Sequence, residues 1–296
     1  MSNGSFIFNI GDFRCISVSD GVHAYEHPAA LLFPGAPQEG LEQALRGHNL
    51  QADTWTEWRS SYSCLVVDTG NHLVLLDTGA GEVLGPDTGK LLMNLESAGI
   101  FPGDIDTVVI THGHPDHLGG NTLNDRPAFP RARFVMFTEE WKFWTSWQAG
   151  VELSKLGLDE SLKEALLAAA LKNLLLVENQ VELVEPGTEI VPGILALPAP
   201  GHTPGHMVAL ISSGGEQLYY ISDAFIHPIH LEQPEWHMAV DISPADNVFT
   251  REQLLGKAGG EKILVHAFHF PFPGLGRIVK IEGGYQWQPF AERSPL

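Results

Sequence analysis

Four side chains able to ligate a metal fall within six residues, His112-Gly113-His114-Pro115-Asp116-His117. Neutral imidazole nitrogens and a carboxylate oxygen are the donors a borderline divalent cation such as zinc prefers. Crowded together, such groups cost stability unless something binds them. Further candidates recur downstream at the ends of apolar runs. His202 lies in the turn-rich Pro200-Gly201-His202-Thr203-Pro204-Gly205-His206, Asp223 closes Leu218-Tyr219-Tyr220-Ile221-Ser222-Asp223, and His266 and His269 follow another strand-like stretch. Counted with His269, these make five histidines and two carboxylates. That number suits two metals sharing a bridging carboxylate, with positions left open for water. On the residues alone, His266 rivals His269 for the last place. The chemistry of such a centre is activation of water toward a carbonyl carbon or a phosphorus atom. No Gly-x-Ser-x-Gly elbow offers a serine nucleophile in its stead.

These side chains need a scaffold. Residues 106–110 read as a short buried strand, and the chain turns at Gly113 and Pro115 just beyond it. Ligands on a loop at the end of a buried strand are held rigidly yet open to substrate. Upstream, strand-like runs at 6–10, 14–19, 63–68 and 72–77 alternate with turns. Thr69-Gly70-Asn71 separates the last two and predicts a hairpin. A helix is expected at 89–98 and a strand at 134–137. Trp141, Phe143, Trp144 and Trp147 then crowd together. The tryptophans' spacing of three suits either a core stripe or an apolar wall over the metals. Residues 159–177 read as a helix begun by an Asp159 cap. Leu162, Leu166 and Ala169 line one face and Leu167, Leu171 and Leu174 another, so this helix is buried or covers a pocket. Strands return at 194–197, 207–212, 218–222 and 262–265. Two packed sheets flanked by helices follow from this order.

Composition narrows the substrate. The formal net charge is −19, from 17 basic and 36 acidic side chains. Phosphate-backbone binding needs clustered Lys and Arg, so nucleic acid is excluded, and a neutral or apolar small molecule fits better than a polyanion. Acidity of this kind also serves solubility alone. No run of eighteen apolar residues occurs, so no membrane span is expected. The first residues lack a basic segment followed by an apolar stretch, which predicts no secretory signal and a cytoplasmic location. Cys15 and Cys64, the two cysteines, sit in strand-like stretches and read as buried free thiols.

The order His112-x-His114-x-Asp116-His117, then His202, Asp223 and a late histidine resembles the metallo-β-lactamase-fold hydrolases over nearly the whole chain. His269-Phe270-Pro271-Phe272-Pro273-Gly274-Leu275-Gly276, with Gly284-Tyr285-Gln286-Trp287, is similar to the methyl parathion hydrolase branch, which includes esterases and lactonases. The resemblance implies an α/β fold, an αββα sandwich of two mixed sheets flanked by helices. It would form a single domain over 1–296 with an aromatic, helical insertion at about 138–180. It also implies two divalent cations, zinc by default, with manganese, cobalt or iron acceptable. His112, His114 and His202 would hold one and Asp116, His117 and His269 the other. Asp223 would bridge, with Asp116 and Asp223 as the catalytic carboxylates. His269 takes the last place because it directly precedes the Phe-Pro-Phe-Pro-Gly run. Leu75-Leu76-Asp77-Thr78-Gly79 also matches, and Asp77, with His266, would support the ligands from behind. Trp141, Trp144, Phe225, Ile226, Phe270 and Phe272 are the expected pocket walls.

Two departures bear on the reaction. Family members acting on acyl-homoserine lactones often carry a tyrosine three residues after the bridging aspartate, where this chain has Ile226. That lowers the case for a quorum-signal lactonase. Flavin-linked di-iron relatives often replace the second histidine of the motif with glutamate, whereas His114 is retained, favouring hydrolysis. The expected activity is hydrolysis of an ester or lactone, with phosphotriesters as a further class, by a hydroxide between two metals. A glyoxalase-type thioesterase is an alternative. Its anionic substrate would want a basic patch, and the C-terminal region has only scattered basic residues such as Lys262, Arg277 and Lys280. A mononuclear iron dioxygenase on the same fold is another alternative. The apolar insertion is compatible with a homodimer.

Overall fold

The computed structural model describes residues 4–259 and 263–290. The chain runs through β1 (Ser5–Ile10), β2 (Phe13–Glu26), the short helices α1 (Pro28–Leu32) and α2 (Gln38–Gly47), β3 (Glu57–Asp68) and β4 (Leu73–Leu76). Then come α3 (Leu91–Ser97), β5 (Thr107–Val109), α4 (Pro115–Leu118), a small ribbon of β6 (Thr122–Leu123) and β7 (Arg126–Pro127), and β8 (Arg133–Phe137). Helices α5 (Thr138–Trp144), α6 (Trp147–Lys155) and α7 (Glu160–Leu175) precede β9 (Val181–Val184). The rest is β10 (Glu189–Val191), β11 (Ile194–Pro198), β12 (Met207–Ser213), β13 (Glu216–Tyr220), α8 (Ile229–Glu232), α9 (Pro244–Leu254), β14 (Leu264–His266), β15 (Leu275–Ile281) and β16 (Gly284–Pro289).

The strands form two seven-stranded sheets, ordered β1-β2-β3-β4-β5-β8-β9 and β10-β11-β12-β13-β14-β15-β16. Both are mixed. In the first, β4, β5, β8 and β9 run parallel to one another. In the second, the parallel pair is β13 and β14. The predicted hairpin is β3–β4, with Leu65 opposite Leu76. Of the strand expected at 262–265, Lys262 lies outside the described residues and the rest falls in β14 and the residue before it. The hairpin β15–β16 and helices α1 and α2 were not anticipated.

Alternation within strands assigns the layers. Ala209 and Ile211 of β12 and Leu218 and Tyr220 of β13 join Ile16, Val66, Leu75, Val109 and Val135 of the first sheet in one core between the sheets. Their neighbours Val208, Tyr219 and Val265 face the other way, into a second core with Leu254 of α9 and Ile278. Strand β5 is buried along its length, as a central parallel strand must be. Helix α3 packs on β2 and α5 on β8, while α8 packs on β16. The result is the expected αββα sandwich. A third cluster, including Leu32, Phe33, Trp58, Ile226 and Trp236, fastens α1 and α8 to β3 beside the mouth of the site. Cys15 and Cys64 are buried free thiols.

Candidate metal centre

All seven predicted ligands follow the ends of strands on one edge of the sandwich. The loop after β5 delivers His112 and His114, and α4 begins at Pro115, placing Asp116 and His117 in its first turn. His202 follows β11, Asp223 follows β13 and His269 follows β14. The structure gathers them into two groups, His112–His114–His202–Asp223 and Asp116–His117–Asp223–His269. In each group one donor atom per residue lies within 4.8 Å of all the others. Asp223 belongs to both.

The first group points nitrogens at nitrogens. His114 Nδ1 lies 3.1 Å from His112 Nε2 and 2.9 Å from His202 Nε2. Asp223 Oδ2 stands 3.2 Å from His202 Nε2 and 3.8 Å from His112 Nε2. In the second group Asp223 Oδ1 lies 3.0 Å from His117 Nε2 and 3.2 Å from His269 Nε2. Asp116 Oδ2 is 3.4 Å from His269 Nε2 and 3.7 Å from His117 Nε2. Zinc–nitrogen bonds of about 2.05 Å in a tetrahedron separate donors by roughly 3.3 Å, which is the spacing found.

The surrounding hydrogen bonds show which lone pairs are free. His117 Nδ1 donates to Asp77 Oδ2 at 2.8 Å. Asp77 also accepts from the Thr111 amide and hydroxyl and, at 2.9 Å, from the Tyr220 hydroxyl. His202 Nδ1 donates to Asp241 Oδ1 at 2.7 Å, and His269 Nδ1 meets Ser60 Oγ at 2.8 Å. With Nδ1 carrying the proton, Nε2 of His117 turns a lone pair toward a carboxylate oxygen. Both atoms, His117 Nε2 and Asp223 Oδ1, are buried without a hydrogen-bond partner. Two facing acceptors in a buried site require a proton or a metal cation between them, and the donor set fits a divalent metal.

Charge tells the same story. Burial, with neighbouring histidines, holds His112 and His114 well below the ordinary imidazole value, so they stay neutral donors. Burial opposes protonation of His202, but its hydrogen bonds to Asp223 and Asp241 overcome it and push the value up to about 9. At His117 burial is overcome by Asp223, Asp116 and Asp77, leaving it well above the ordinary value. Burial also opposes ionisation of Asp223, yet His117 and His269 hold it well below the carboxylate range. The carboxylates thus demand positive charge at the points where the donors converge.

Over the two groups opens a cavity of about 300 Å³ whose walls include Leu31, Trp58, Leu162, Leu166, Ile226 and Met238. Helix α7 covers it with Leu162 and Leu166, while Ala170 and Leu174 turn into the core. Of the six expected wall residues, only Ile226 lines this cavity. Trp144 is fully buried, its Nε1 donating to Glu140 Oε1 at 2.7 Å and its ring lying edge-on to His114. Trp141 is half-buried against the main core. The helix breaks between Trp144 and Trp147, where Ser146 caps α6, so the three tryptophans share no face and Trp147 is exposed. Phe225 lies beneath the Arg251 guanidinium, Phe270 packs edge-on against Trp287, and Phe272 borders a separate cleft near Gly4.

His266 is not in either group. It is buried in β14, stacked on Tyr220, with Nε2 3.0 Å from Ser17 Oγ. His206 supports the centre from behind, its Nε2 accepting from the Asp223 amide at 3.2 Å. Sequence reasoning passed over Asp241, Ser60 and two polar residues of the cavity wall, His23 and Tyr25. An alternating strand would have put His23 and Tyr25 on one face, but nothing in the sequence aims that face at the ligands. Tyr25 hydrogen-bonds through its hydroxyl to that of Tyr62 at 2.6 Å. Burial first, then the charge of Asp116, raises the Tyr25 phenol, so it stays protonated.

A family model described as the metallo-beta-lactamase superfamily matches residues 58–265. A probable metallo-hydrolase of Mycobacterium tuberculosis is 24% identical over 226 residues, 65% of this chain and 66% of that protein. An N-acyl homoserine lactonase of a Bacillus species is 27% identical over 169 residues, 51% of this chain and 58% of that protein. The chain therefore spans 66% and 58% of the lengths of these two relatives. Among solved structures, AidC, a dizinc quorum-quenching lactonase in complex with a product, is similar with a TM-score of 0.89 at 26% identity, covering 98% of this chain and 99% of that one. The hydrolase AbOPH, in the beta lactamase superfamily, has a TM-score of 0.88 at 26% identity with the same coverage.

Proposed function

The chain belongs to the metallo-β-lactamase superfamily, and on that premise we propose that it is a dinuclear metal-dependent hydrolase of lactones and esters bearing an apolar substituent. One observation carries the reading: a single carboxylate, Asp223, is shared by two sets of converging donors at the floor of an apolar cavity. His112, His114 and His202 would hold one cation, Asp116, His117 and His269 the other, with Asp223 between them. When bound, two such cations supply Lewis acidity and bring the pKa of water toward neutrality. Zinc suits the nitrogen-rich donor set, and the likeness to a dizinc lactonase supports it.

The chain's own groups have separable tasks. Asp77, Asp241 and Ser60 fix the rings of His117, His202 and His269 through their Nδ1 atoms. Asp116 turns Oδ2 toward His117 and His269, which leaves Oδ1 to accept a proton and return it to the leaving oxygen. The leucines of α7, Trp58, Ile226 and Met238 take up the substituent and exclude water. Apart from the ligands and the Trp58 indole, His23 and Tyr25 are the hydrogen-bonding side chains on the wall, and the Tyr25 hydroxyl, which pairs with that of Tyr62, would hold the polar end of a substrate. This hydroxyl comes from β2, and it answers the absence of one at Ile226. The Bacillus lactonases and AidC act as support for lactones as the first class to assay.

The test is a panel of acyl-homoserine and aryl lactones, aryl esters and phosphotriesters, run with elemental analysis of the same sample. Lactone turnover that vanishes on chelation and returns with zinc, manganese or cobalt is expected. Full activity in metal-free protein would sink the proposal. Turnover confined to phosphotriesters would move the substrate class while keeping the centre.

A further inference from the structure

Helix α5 stands behind the centre, and one of its side chains reaches both loops that carry the first donor group. Glu140 is fully buried. Its Oε1 accepts from the Gly113 amide at 2.8 Å and from Trp144 Nε1 at 2.7 Å. Its Oε2 accepts from Thr203 Oγ1 at 2.8 Å and from the Gly205 amide at 2.9 Å. Gly113 sits between His112 and His114, and Thr203 directly follows His202. One carboxylate therefore ties together two loops whose histidines, His114 and His202, are 88 residues apart in sequence.

The packing is as close as the bonding. A Cβ on Gly113 would stand 2.3 Å from ring atoms of Trp144, and one on Gly205 would stand 2.3 Å from the Glu140 backbone nitrogen. Trp144 itself meets the His114 ring edge-on, with centroids 5.5 Å apart. None of the four bonds ends on the segment bearing His269 or on α4. An amide cannot replace the carboxylate here. Each oxygen receives a backbone N–H, so either orientation of a glutamine would press an NH₂ against one of them.

We infer that Glu140 is a positioning residue that sets the spacing of His112, His114 and His202, and thereby the metal affinity of that group over the Asp116–His117–His269 group. The inference rests on the proposed reading that both groups hold cations. It is tested by cobalt titration of the full chain, followed by visible absorption and by chelator competition, in wild type, Glu140→Gln and Thr203→Val. Wild type should take up two equivalents. Glu140→Gln should keep one at wild-type affinity and bind the other about 10- to 100-fold more weakly. Thr203→Val, which removes one bond of the four, should shift the same equivalent by less, and it carries the test if Glu140→Gln does not fold. Both equivalents unchanged in the variants, or both weakened equally, would overturn the inference. Fewer than two equivalents in wild type would remove the dinuclear reading, and the inference with it.

Discussion

Replacing Asp241 by asparagine should harm metal binding more than replacing it by alanine, although asparagine is the closer fit. In the native chain Asp241 Oδ1 accepts from His202 Nδ1 at 2.7 Å, while Oδ2 accepts from the Met238 amide at 3.0 Å and from Asn247 Nδ2 at 2.9 Å. The Met238 amide is a fixed donor, so an asparagine must put its oxygen there. Its NH₂ then faces His202 Nδ1, which would have to become an acceptor. The imidazole proton moves to Nε2, the nitrogen that faces Asp223 and His114, and the lone pair offered to a metal is gone. Alanine removes the acceptor from His202, the Met238 amide and Asn247 Nδ2 alike, but it imposes no tautomer on His202. It forfeits a charge-assisted bond whose loss costs about 1.5–3 kcal/mol at most, because water can take its place. Asparagine adds an NH₂ held against His202 Nδ1, which forces the wrong tautomer or leaves two donors face to face, a further 1–3 kcal/mol or so. Zinc affinity of one equivalent should therefore fall roughly tenfold in Asp241→Ala and another tenfold or more in Asp241→Asn. Calorimetric zinc titration against a competing chelator measures both. Wild-type affinity in Asp241→Asn, or a larger loss in Asp241→Ala, would refute the tautomer argument.

Other substitutions probe separate parts of the molecule. His266→Phe should leave metal content unchanged and alter acid stability. Burial pulls His266 down to about 3 from 6.5, so the unfolded chain takes up this proton first. Its contribution is complete above the unfolded value and is lost as pH falls toward 3, a loss of about 2 kcal/mol by pH 5 that the variant should not show. Parallel denaturation curves for the two proteins across that range would contradict this. Tyr25→Phe should lower kcat/KM for the best substrate about 3- to 10-fold, the worth of one neutral hydrogen bond, with metal content intact; an unchanged value would exclude the hydroxyl from substrate contact. Gly113→Ala, whose Cβ would stand 2.3 Å from the Trp144 ring, should destabilise the fold by about 1–3 kcal/mol, read as the denaturant midpoint.

Some of this was legible in the sequence because it is local. The motif at 112–117 packs four ligands into one loop and one helical turn, and the residue order alone advertises it. Helix α7 announced itself through its Asp159 cap, whose side chain accepts from the Ser161 amide, and through its apolar faces. What stayed hidden depends on which loops meet. Asp241 and Glu140 carry no motif, and each becomes important only when topology brings it against a ligand-bearing loop. The tryptophan stripe misled for the same reason. Spacing of three assumes one helix, and the chain breaks at Thr145 and Ser146 and turns Trp144 inward. The hydroxyl proposed for the pocket, expected after Asp223 in the second sheet, lies on β2 in the first.

With cations bound, the shared carboxylate would also fasten the chain to itself. His112, His114, Asp116 and His117 come from the first sheet's loops, and His202, Asp223 and His269 from those of the second. A cation gripped by both sides would act as a removable cross-link. Closing a loop as long as the 88 residues between His114 and His202 costs an unfolded chain about 4.6 kcal/mol of entropy. The folded sandwich has already met that cost by docking its sheets. Metal binding and sheet docking are then one equilibrium seen from two ends, and the melting temperature should climb with free metal concentration.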